Sequence, residues 1–526
     1  MNGMTRREFS KTIATTVAAA SIRSLGAPLE ALAAESTETD QIAGLSLTEA
    51  AQQIREGKVT STALTKACLE RIRIYNPKVD AFITVLGDCA LTQAAQLDAE
   101  QKAGKLRGPL HGVPIALKDN IDTAGIRTTA ASKVYDDRVP SEDAEVVRRL
   151  SGAGAVFIGK ANLDEFADAV SYFGSVRNPW ALDRDPSGSS SGSAAAVATT
   201  LAYGALGTDT GGSVRLPSAY CGVVGIKATY GLVPIRGIVP LVVSLDHCGP
   251  ITRTVEDAAL MLNTLAGYDR LDITSVQHAK EDYVAALDQP VSGFRLGIPR
   301  APYYDHCDEG TAKALEEAIV VLSKMTKSVK EVSLPSISAY TGGASLNNIG
   351  NEIYAYHESL FESSAGRYSL ALQIQLQGMK DAMNAPSTTG SRQVSAYIRH
   401  RWDMELLRRT VDDSFTDFDL VVVPTLRIMP QKISWVIDQE ENTKLHSPGI
   451  FDLDNCTPFN IYGLPAISIP CGFSKDGLPV GLMIAGPHFS EGKILALARA
   501  YELETKWNLH RPPLKPDTPV PPIRPA

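Results

Sequence analysis

The chain has 526 residues, of which 44% are hydrophobic and 21% charged, a composition typical of a globular protein with a large buried core. Its formal charge of -8, with no block of lysines and arginines, excludes the basic surface that binds nucleic acid or an anionic membrane. The seven cysteines lie far apart, without Cys-x-x-Cys or Cys/His zinc spacing, so we predict no metal site.

The amino terminus has the pattern of an export signal. Thr5-Arg6-Arg7-Glu8-Phe9 precedes an uncharged stretch, residues 12–22, and Ala31-Leu32-Ala33 supplies the small residues of a cleavage site. The arginine pair with Phe9 resembles the twin-arginine type of signal. The apolar stretch is shorter than the roughly 20 residues that span a bilayer, so no stable membrane anchor is expected. We predict that residues 1–33 are a signal peptide and that the remaining protein is periplasmic or secreted.

The remaining chain alternates between helix and strand. Ser46 and Glu49 have capping-box spacing, and apolar residues at helical spacing predict a helix over residues 47–54. A second helix is predicted to end at Asn76-Pro77, before a strand over residues 81–86. The alternation continues with strands at 113–117 and 155–158 and helices at 142–151 and 194–203. The pattern predicts an α/β protein whose sheet is covered by helices on both faces.

No linker rich in Gly, Ser or Pro divides the chain, so we predict a single domain over residues 34–511. Within it, residues 334–411 have a helical pattern without the Gly-rich punctuation seen elsewhere. We expect them to form a helical cap or insertion over the core. The Pro-rich residues 512–526 are expected to form an extended and partly ordered tail.

Three short patterns point to other chemistries but are incomplete. Gly154-x-x-x-x-Gly159-Lys160 has phosphate-loop spacing, but Ala161 stands where a Ser or Thr is needed to bind magnesium. Residues 188–192 match the Gly-x-Ser-x-Gly elbow of α/β-hydrolases, but a proline-containing stretch precedes them where that motif requires a strand. His111 and His247 have no Asp partner in a recognisable triad order.

The most informative stretch is residues 187–217, in which Gly and Ser stand on both sides of an apolar helix. It ends in Asp209-Thr210-Gly211-Gly212-Ser213, and two glycines before a serine let successive backbone N–H groups point at one spot, as an oxyanion hole requires. Upstream, a single lysine, Lys118, closes an apolar strand. A buried lysine tends to lose its proton.

Together these segments resemble the amidase signature family over nearly the whole chain after the signal. The resemblance is carried by a serine- and glycine-rich stretch, by the Thr-Asp-Thr-Gly-Gly-Ser stretch, by the lysine strand and by three later segments, namely residues 187–193, 208–215, 113–120, 225–233, 244–257 and 458–481. It implies an α/β fold with a large central mixed sheet covered by helices on both faces, and catalysis without a metal or cofactor.

The resemblance also implies roles for individual residues. Ser213 matches the nucleophile, Lys118 the base, and Ser189 the bridging serine, whose preceding peptide bond is cis in the family. Because Ser187 and Ser191 replace glycines of the family stretch, the choice between Ser189 and Ser190 as the bridging serine stays open. The oxyanion hole is matched by the backbone N–H groups of Thr210, Gly211, Gly212 and Ser213.

Six further residues lie in family stretches near this site. Asn162 and Gly188 are candidates for substrate binding, with a structural role for Asn162 as the alternative. Asp209 and Arg215 match positions that brace the nucleophile loop. Asp164 and Glu165 are expected to be first-turn acids of a helix.

The function implied is that of a secreted amidohydrolase that cleaves the C–N bond of a linear carboxylic amide to an acid plus ammonia or amine. The alternatives are an esterase or aryl-acylamidase activity, a glutaminase-like subunit that feeds ammonia to a tRNA-charging partner, and a catalytically silent binding protein. The expected ligand is a small-molecule amide, with no cofactor, metal or nucleic acid. Whether the protein forms a homodimer stays open.

Overall fold

The structure is a computed structural model, and it describes residues 40–340, 343–384, 387–441 and 455–524. The predicted signal peptide, residues 1–33, lies outside the described residues. Within the described ranges, no helix is long and apolar enough to cross a membrane.

A mixed sheet of eleven strands forms the centre of the molecule. In chain order the strands are β1 (Phe82–Val85), β2 (Pro114–Lys118), β3 (Val156–Ala161), β4 (Gly204–Asp209), β5 (Val224–Lys227), β6 (His247–Thr252), β7 (Arg295–Ile298), β8 (Ser328–Glu331), β9 (Leu420–Pro424), β10 (Ala466–Phe473) and β11 (Pro479–Ala485). Across the sheet their order is β1-β3-β2-β4-β6-β5-β10-β11-β9-β7-β8. Every residue of β2, β3 and β4 is buried, as expected for a sheet covered on both faces. The predicted α/β fold with a mixed sheet is confirmed.

Helices connect and cover the strands. They are α1 (Leu47–Arg55), α2 (Ser61–Val79), α3 (Gly87–Lys102), α4 (Glu145–Gly152), α5 (Ser191–Ala198), α6 (Arg215–Cys221), α7 (Val255–Leu265), α8 (Tyr283–Ala286), α9 (Arg300–Tyr303), α10 (Glu309–Met325), α11 (Gly343–Ser364), α12 (Leu370–Met383), α13 (Ser387–Thr410), α14 (Ile433–Glu441), α15 (Thr457–Ile461) and α16 (Glu491–Thr505). The capping box of α1 forms as predicted: Glu49 N–H donates to Ser46 Oγ at 3.0 Å, and Ser46 N–H donates to Glu49 Oε2 at 2.7 Å.

Helix α2 is longer than predicted. It continues through Pro77 to Val79 and ends where Asp80 adopts a left-handed conformation, with φ of 52°. Because Pro77 lies in the last turn, its missing N–H removes a single helical hydrogen bond, and the Asp80 N–H still reaches Asn76 O at 2.8 Å. The prediction that Asn76-Pro77 ends this helix was wrong by one short turn.

Three helices, α11, α12 and α13, fall in the stretch that was expected to form a cap. They share a second apolar cluster, separate from the main core, that includes Phe361, Leu372 and Met404 together with Phe166 of the core side. We refer to α11–α13 as the cap.

The Pro-rich tail is held along its length up to residue 524. Lys78 Nζ donates to Thr518 O at 2.7 Å, Arg177 Nη1 donates to Pro521 O at 3.0 Å, and Arg524 pairs with Asp438 at 3.0 Å. These contacts join the described part of the tail to α2, to Arg177 and to α14.

Candidate active site

The candidate residues meet where three neighbouring parallel strands end. Strand β2 pairs in parallel with β3 and with β4, so the carboxyl ends of all three lie at one edge of the sheet. Lys118 is the last residue of β2, and Ser213 follows the end of β4 by four residues. Ligands of open α/β sheets bind outside the carboxyl ends of parallel strands, and this edge is such a location.

Lys118 is completely buried and points into a cluster of hydroxyl groups. Its Nζ donates to Ser189 Oγ at 2.7 Å and to Thr208 Oγ1 at 2.8 Å. Burial lowers the pKa of Lys118 to about 7, although the negative charges of three nearby acids favour the ammonium form, namely Asp164, Asp209 and Asp246. The lysine can therefore exist as a neutral amine near neutral pH.

The structure separates the two candidate bridging serines. The hydroxyl of Ser189 contacts Lys118, whereas the hydroxyl of Ser190 donates to Thr208 O at 3.1 Å and accepts from Thr208 N–H at 3.2 Å. The peptide bond between Gly188 and Ser189 is cis, as the resemblance implies. Ser190 is thus committed to the backbone of β4, and Ser189 is the serine that faces the lysine.

The loop that carries Ser213 is braced by a buried ion pair. Arg215 donates from Nε and Nη2 to the two oxygens of Asp209, each at 2.9 Å, and both side chains are fully buried. Burial alone would raise the pKa of Asp209, but Arg215 holds it well below its usual range. Asn460 donates to the same carboxylate at 2.8 Å. These contacts fix the turn between β4 and α6.

The predicted oxyanion hole loses one donor. The N–H of Gly212 donates to Asp209 Oδ1 at 2.9 Å, so it points to the carboxylate and not to the substrate side. This departs from the sequence-based prediction, because the Asp209 side chain folds back onto its own loop. The N–H groups of Thr210, Gly211 and Ser213 donate to no other described residue, which leaves three backbone donors for an oxyanion.

Asn162 does not have the geometry of a substrate-binding residue. Its Nδ2 donates to Asp80 O and Gly174 O at 3.1 and 3.0 Å, and its Oδ1 accepts from Leu163 N–H and Ser171 Oγ–H at 2.9 and 2.8 Å. An asparagine amide has two donor hydrogens and two acceptor lone pairs, and all four are used within the protein. These four hydrogen bonds favour the structural alternative for Asn162.

Gly188 has a steric reason to be glycine. A Cβ atom built at this position would lie 1.9 Å from Asp164 Oδ2, which no side chain tolerates. The close approach of the Asp164 side chain therefore explains why residue 188 is glycine, and its role in substrate binding stays a prediction.

Sequence reasoning missed Thr208 as a member of the site. Besides the Lys118 contact, its Oγ1 accepts a hydrogen bond from Asn120 Nδ2 at 3.2 Å. Thr208 is the first residue of the Thr-Asp-Thr-Gly-Gly-Ser stretch and lies on β4. Because successive side chains of a strand point to opposite faces, and because β2 and β4 pair in parallel, the direction of the Thr208 side chain toward Lys118 could have been inferred.

The competing motifs do not form sites. Lys160 of the phosphate-loop pattern is buried and donates to Ile121 O and Thr128 Oγ1 at 2.5 and 2.8 Å. His247 Nδ1 contacts Leu245 O at 2.6 Å, and His111 Nε2 contacts Leu97 O at 3.0 Å, so neither histidine contacts a serine through these atoms. In the described ranges, no group of three or more His, Cys, Asp or Glu side chains is placed to hold a metal ion.

Comparison with known proteins identifies the family. A family model described as Amidase matches residues 63–495. The chain is 38% identical over 491 residues to a glutamyl-tRNA(Gln) amidotransferase subunit of Carboxydothermus hydrogenoformans, covering 89% of this chain and 99% of that protein. The crystal structure of the corresponding Thermotoga maritima amidotransferase subunit is 33% identical with a TM-score of 0.68, covering 88% of this chain and 95% of that one. Native peptide amidase from Stenotrophomonas maltophilia is 34% identical with a TM-score of 0.74, covering 90% and 99% of the two chains. The family match, the sequence identity and the fold agree, and the chain belongs to the amidase signature family.

Proposed function

We propose that the protein hydrolyses a carboxylic amide through an acyl-enzyme on Ser213, with Lys118 as the base and Ser189 as the proton relay. The observation that carries this proposal is the buried Lys118 Nζ, 2.7 Å from Ser189 Oγ and with a pKa lowered to about 7. The Ser190 N–H donates to Ser213 O at 3.2 Å. This bond joins residues 187–190 before α5, which we call the Ser189 loop, to residues 210–214 between β4 and α6, which we call the nucleophile loop.

The reaction begins when neutral Lys118 accepts the proton of Ser189 while Ser189 takes the proton of Ser213. Ser213 Oγ then attacks the amide carbon, and the N–H groups of Thr210, Gly211 and Ser213 stabilise the oxyanion. Protonated Lys118 returns its proton through Ser189 to the leaving nitrogen as the C–N bond breaks. Water attacks the acyl-enzyme by the same route and releases the acid.

A second candidate function is that of the glutaminase component of an amidotransferase. Its support is the 38% identity with an amidotransferase subunit that is matched over 99% of its length. In that case the amide is glutamine, the released ammonia passes to a partner protein, and the chemistry at Ser213 is the same. The peptide amidase, at 34% identity, supports the hydrolase, and the amidotransferase subunit, at 38% identity, supports the second candidate more strongly.

The export pattern of residues 1–33 bears on this choice, because tRNA charging is a cytoplasmic process. We therefore favour an exported hydrolase of linear amides that is periplasmic or secreted. The stretch Thr5-Arg6-Arg7-Glu8-Phe9 supports the twin-arginine route.

Ser213→Ala tests the shared chemistry. The substitution removes the nucleophilic oxygen and little volume, so we expect it to abolish turnover and labelling by a fluorophosphonate, with an unchanged thermal unfolding midpoint. Intact-mass and peptide mass spectrometry of the wild-type protein should find the label on Ser213, and a label on Ser190 would contradict the proposal.

A substrate panel tests the finer assignment. The purified chain without partners should be assayed for release of ammonia or amine from aliphatic, aryl and peptide amides, from glutamine, and from matched esters. Turnover of a peptide or aliphatic amide supports the hydrolase. Turnover of glutamine alone, rising when amidotransferase partner proteins are added, supports the second candidate. Preference for the matched esters would support an esterase.

A further inference from the structure

Residues 162–166, which we call the linking segment, connect the candidate active site to the cap. They follow β3 directly, and they do not form the helix that was predicted to contain Asp164 and Glu165 in its first turn. The segment instead runs between the Ser189 loop on one side and the cap on the other.

On the active-site side, the linking segment is hydrogen-bonded to Ser189 and to the first turn of α5. The N–H of Asp164 donates to Ser189 O at 3.3 Å, and the N–H of Gly192 donates to Asn162 O at 3.0 Å. The side chain of Asp164 fills the space beside Gly188 so closely that no Cβ fits there. A shift of the segment therefore displaces the loop that carries the proton relay.

On the cap side, the segment is held by Glu165. Its carboxylate is almost fully buried, accepts from Ser132 Oγ–H at 2.5 Å, and accepts from Ser369 N–H at 2.9 Å. Ser369 is the N-cap residue of α12, so the carboxylate lies at the positive end of a fourteen-residue helix. The adjacent Phe166 ring packs edge-on against His357 of α11, with centroids 4.5 Å apart.

We propose that Glu165 is a positioning residue: by binding the amino-terminal end of α12 it holds the linking segment against the Ser189 loop, so that the proton relay is aligned only while the cap is docked. The inference rests on the proposed function for its catalytic consequence, but the physical link between cap and loop stands on the contacts alone. A carboxylate suits this position because it accepts from both donors at once and its charge complements the helix end.

The electrostatics give the link a specific signature. The charged and titratable groups that face Lys118 are Asp164 on the linking segment, Asp209 on β4, Asp246 before β6 and Cys248 on β6. Asp164 acts most strongly of these and raises the pKa of the lysine. Burial has the largest effect on the pKa of Lys118 and lowers it, so the direction expected from Asp164 holds while the lysine stays buried: when the linking segment moves away, the contribution of Asp164 falls and the neutral form of Lys118 persists to lower pH. A role confined to cap stability has no such effect.

Glu165→Ala in the full-length protein is the decisive variant. We expect amide hydrogen exchange at Gly192 and Asp164 to become at least tenfold faster, because the segment loses its anchor. We expect fluorophosphonate labelling of Ser213 to slow about tenfold or more, since small displacements of catalytic groups have effects of that size. The midpoint of the labelling rate against pH should move to lower pH.

Two matched variants separate this role from general destabilisation. Glu165→Gln keeps an acceptor for the Ser369 N–H and lets Ser132 act as acceptor, so it should retain most of the wild-type labelling rate. Leu322→Ala creates a cavity beneath α10, a helix that packs against β9, β10 and β11, and it should leave exchange at Gly192 and the pH midpoint unchanged. If Glu165→Ala does not fold, Ser132→Ala removes one of the two hydrogen bonds to the Glu165 carboxylate. It should change the exchange rate at Gly192, the Ser213 labelling rate and the pH midpoint in the same directions as Glu165→Ala, but by less.

The proposal is overturned if a folded Glu165→Ala or Ser132→Ala protein exchanges faster in the cap while Gly192 exchange, the Ser213 labelling rate and its pH midpoint equal those of the wild type. A wild-type protein that is not labelled at Ser213 would instead contradict the proposed function, and exchange at Gly192 would still decide whether the cap holds the Ser189 loop.

Discussion

Lys118 acts as a base only to the extent that burial removes its proton. A lysine in water has a pKa near 10.4 and is almost fully protonated at neutral pH. In this site, burial outweighs the three acids that favour the ammonium, and the pKa falls to about 7. The strand end that buries Lys118 therefore determines the pH at which the site can work.

The pH dependence of turnover should report this ionisation. Because the active form is the deprotonated amine, kcat/KM should rise with pH through a midpoint near 7 and reach a plateau above it. Lys118→Ala should lower kcat about 100- to 10,000-fold and remove the rising limb. Lys118→Arg should be equally inactive, since a guanidinium keeps its proton in this range. An arginine variant with wild-type activity and pH profile would show that Lys118 is not the base.

The Asp209–Arg215 pair should matter for stability as much as for geometry. Asp209→Asn leaves the fully buried guanidinium of Arg215 without its counter-charge, and such losses lower the free energy of unfolding by about 3–5 kcal/mol. Urea denaturation followed by tryptophan fluorescence measures the change. Asp438→Asn, which breaks an exposed pair with Arg524, is the control and should leave the urea midpoint unchanged.

At the residue scale, the sequence predicts what is local. Lys118 at the end of an apolar strand and Ser213 after two glycines were recognisable because each signal lies within a few neighbouring residues. The direction of the Gly212 N–H could not be recognised from the sequence, because it depends on the position of the Asp209 side chain. Glu165 was interpreted as an ordinary helix-terminal acid because its partner, Ser369, is 204 residues away.

At the scale of elements, the contact between the loop before α5 and the linking segment leaves no room for a side chain at residue 188. Gly188→Ala should displace the Ser189 loop and slow Ser213 labelling more than tenfold, because its Cβ would overlap Asp164 Oδ2. Gly152→Ala, at the exposed end of α4 with no atom within 4 Å of the new Cβ, should label at the wild-type rate. Equal rates for the two variants would mean that the loop adapts at no cost.

Element positions were predictable where periodicity and turn signals agreed. The residues of β1, β2 and β3 and the capping box of α1 follow from short patterns, so their predicted and observed bounds differ by a few residues at most. The order of the strands across the sheet could not be predicted from those patterns. Strands β5 and β10 are adjacent although more than 200 residues separate them, and such pairing depends on packing of the whole chain.

At the scale of the whole molecule, the export proposal is open to a direct test. Replacing both Arg6 and Arg7 by lysine keeps the charge but removes the guanidinium pair, so we expect unprocessed protein to stay in the cytoplasm. Fractionation and immunoblotting of a twin-arginine-competent bacterial host measures the distribution. Extracytoplasmic protein at the wild-type level would exclude the twin-arginine route.

The cap leaves and re-enters the core between β8 and β9, and β9 pairs only with β11 and β7 among the described strands. The cap, α11–α13, can therefore be exchanged in a chimera without altering the order of the sheet or the strands and loops that hold Lys118, Ser189 and Ser213. Recombination or gene design can diversify the cap separately from the catalytic residues, provided that the contacts between cap and core are kept. Each new cap must keep the hydrogen bonds that Arg408 donates to Ser244 O and Ile461 O, and it must present a helix amino terminus to Glu165, where the Ser369 N–H lies now.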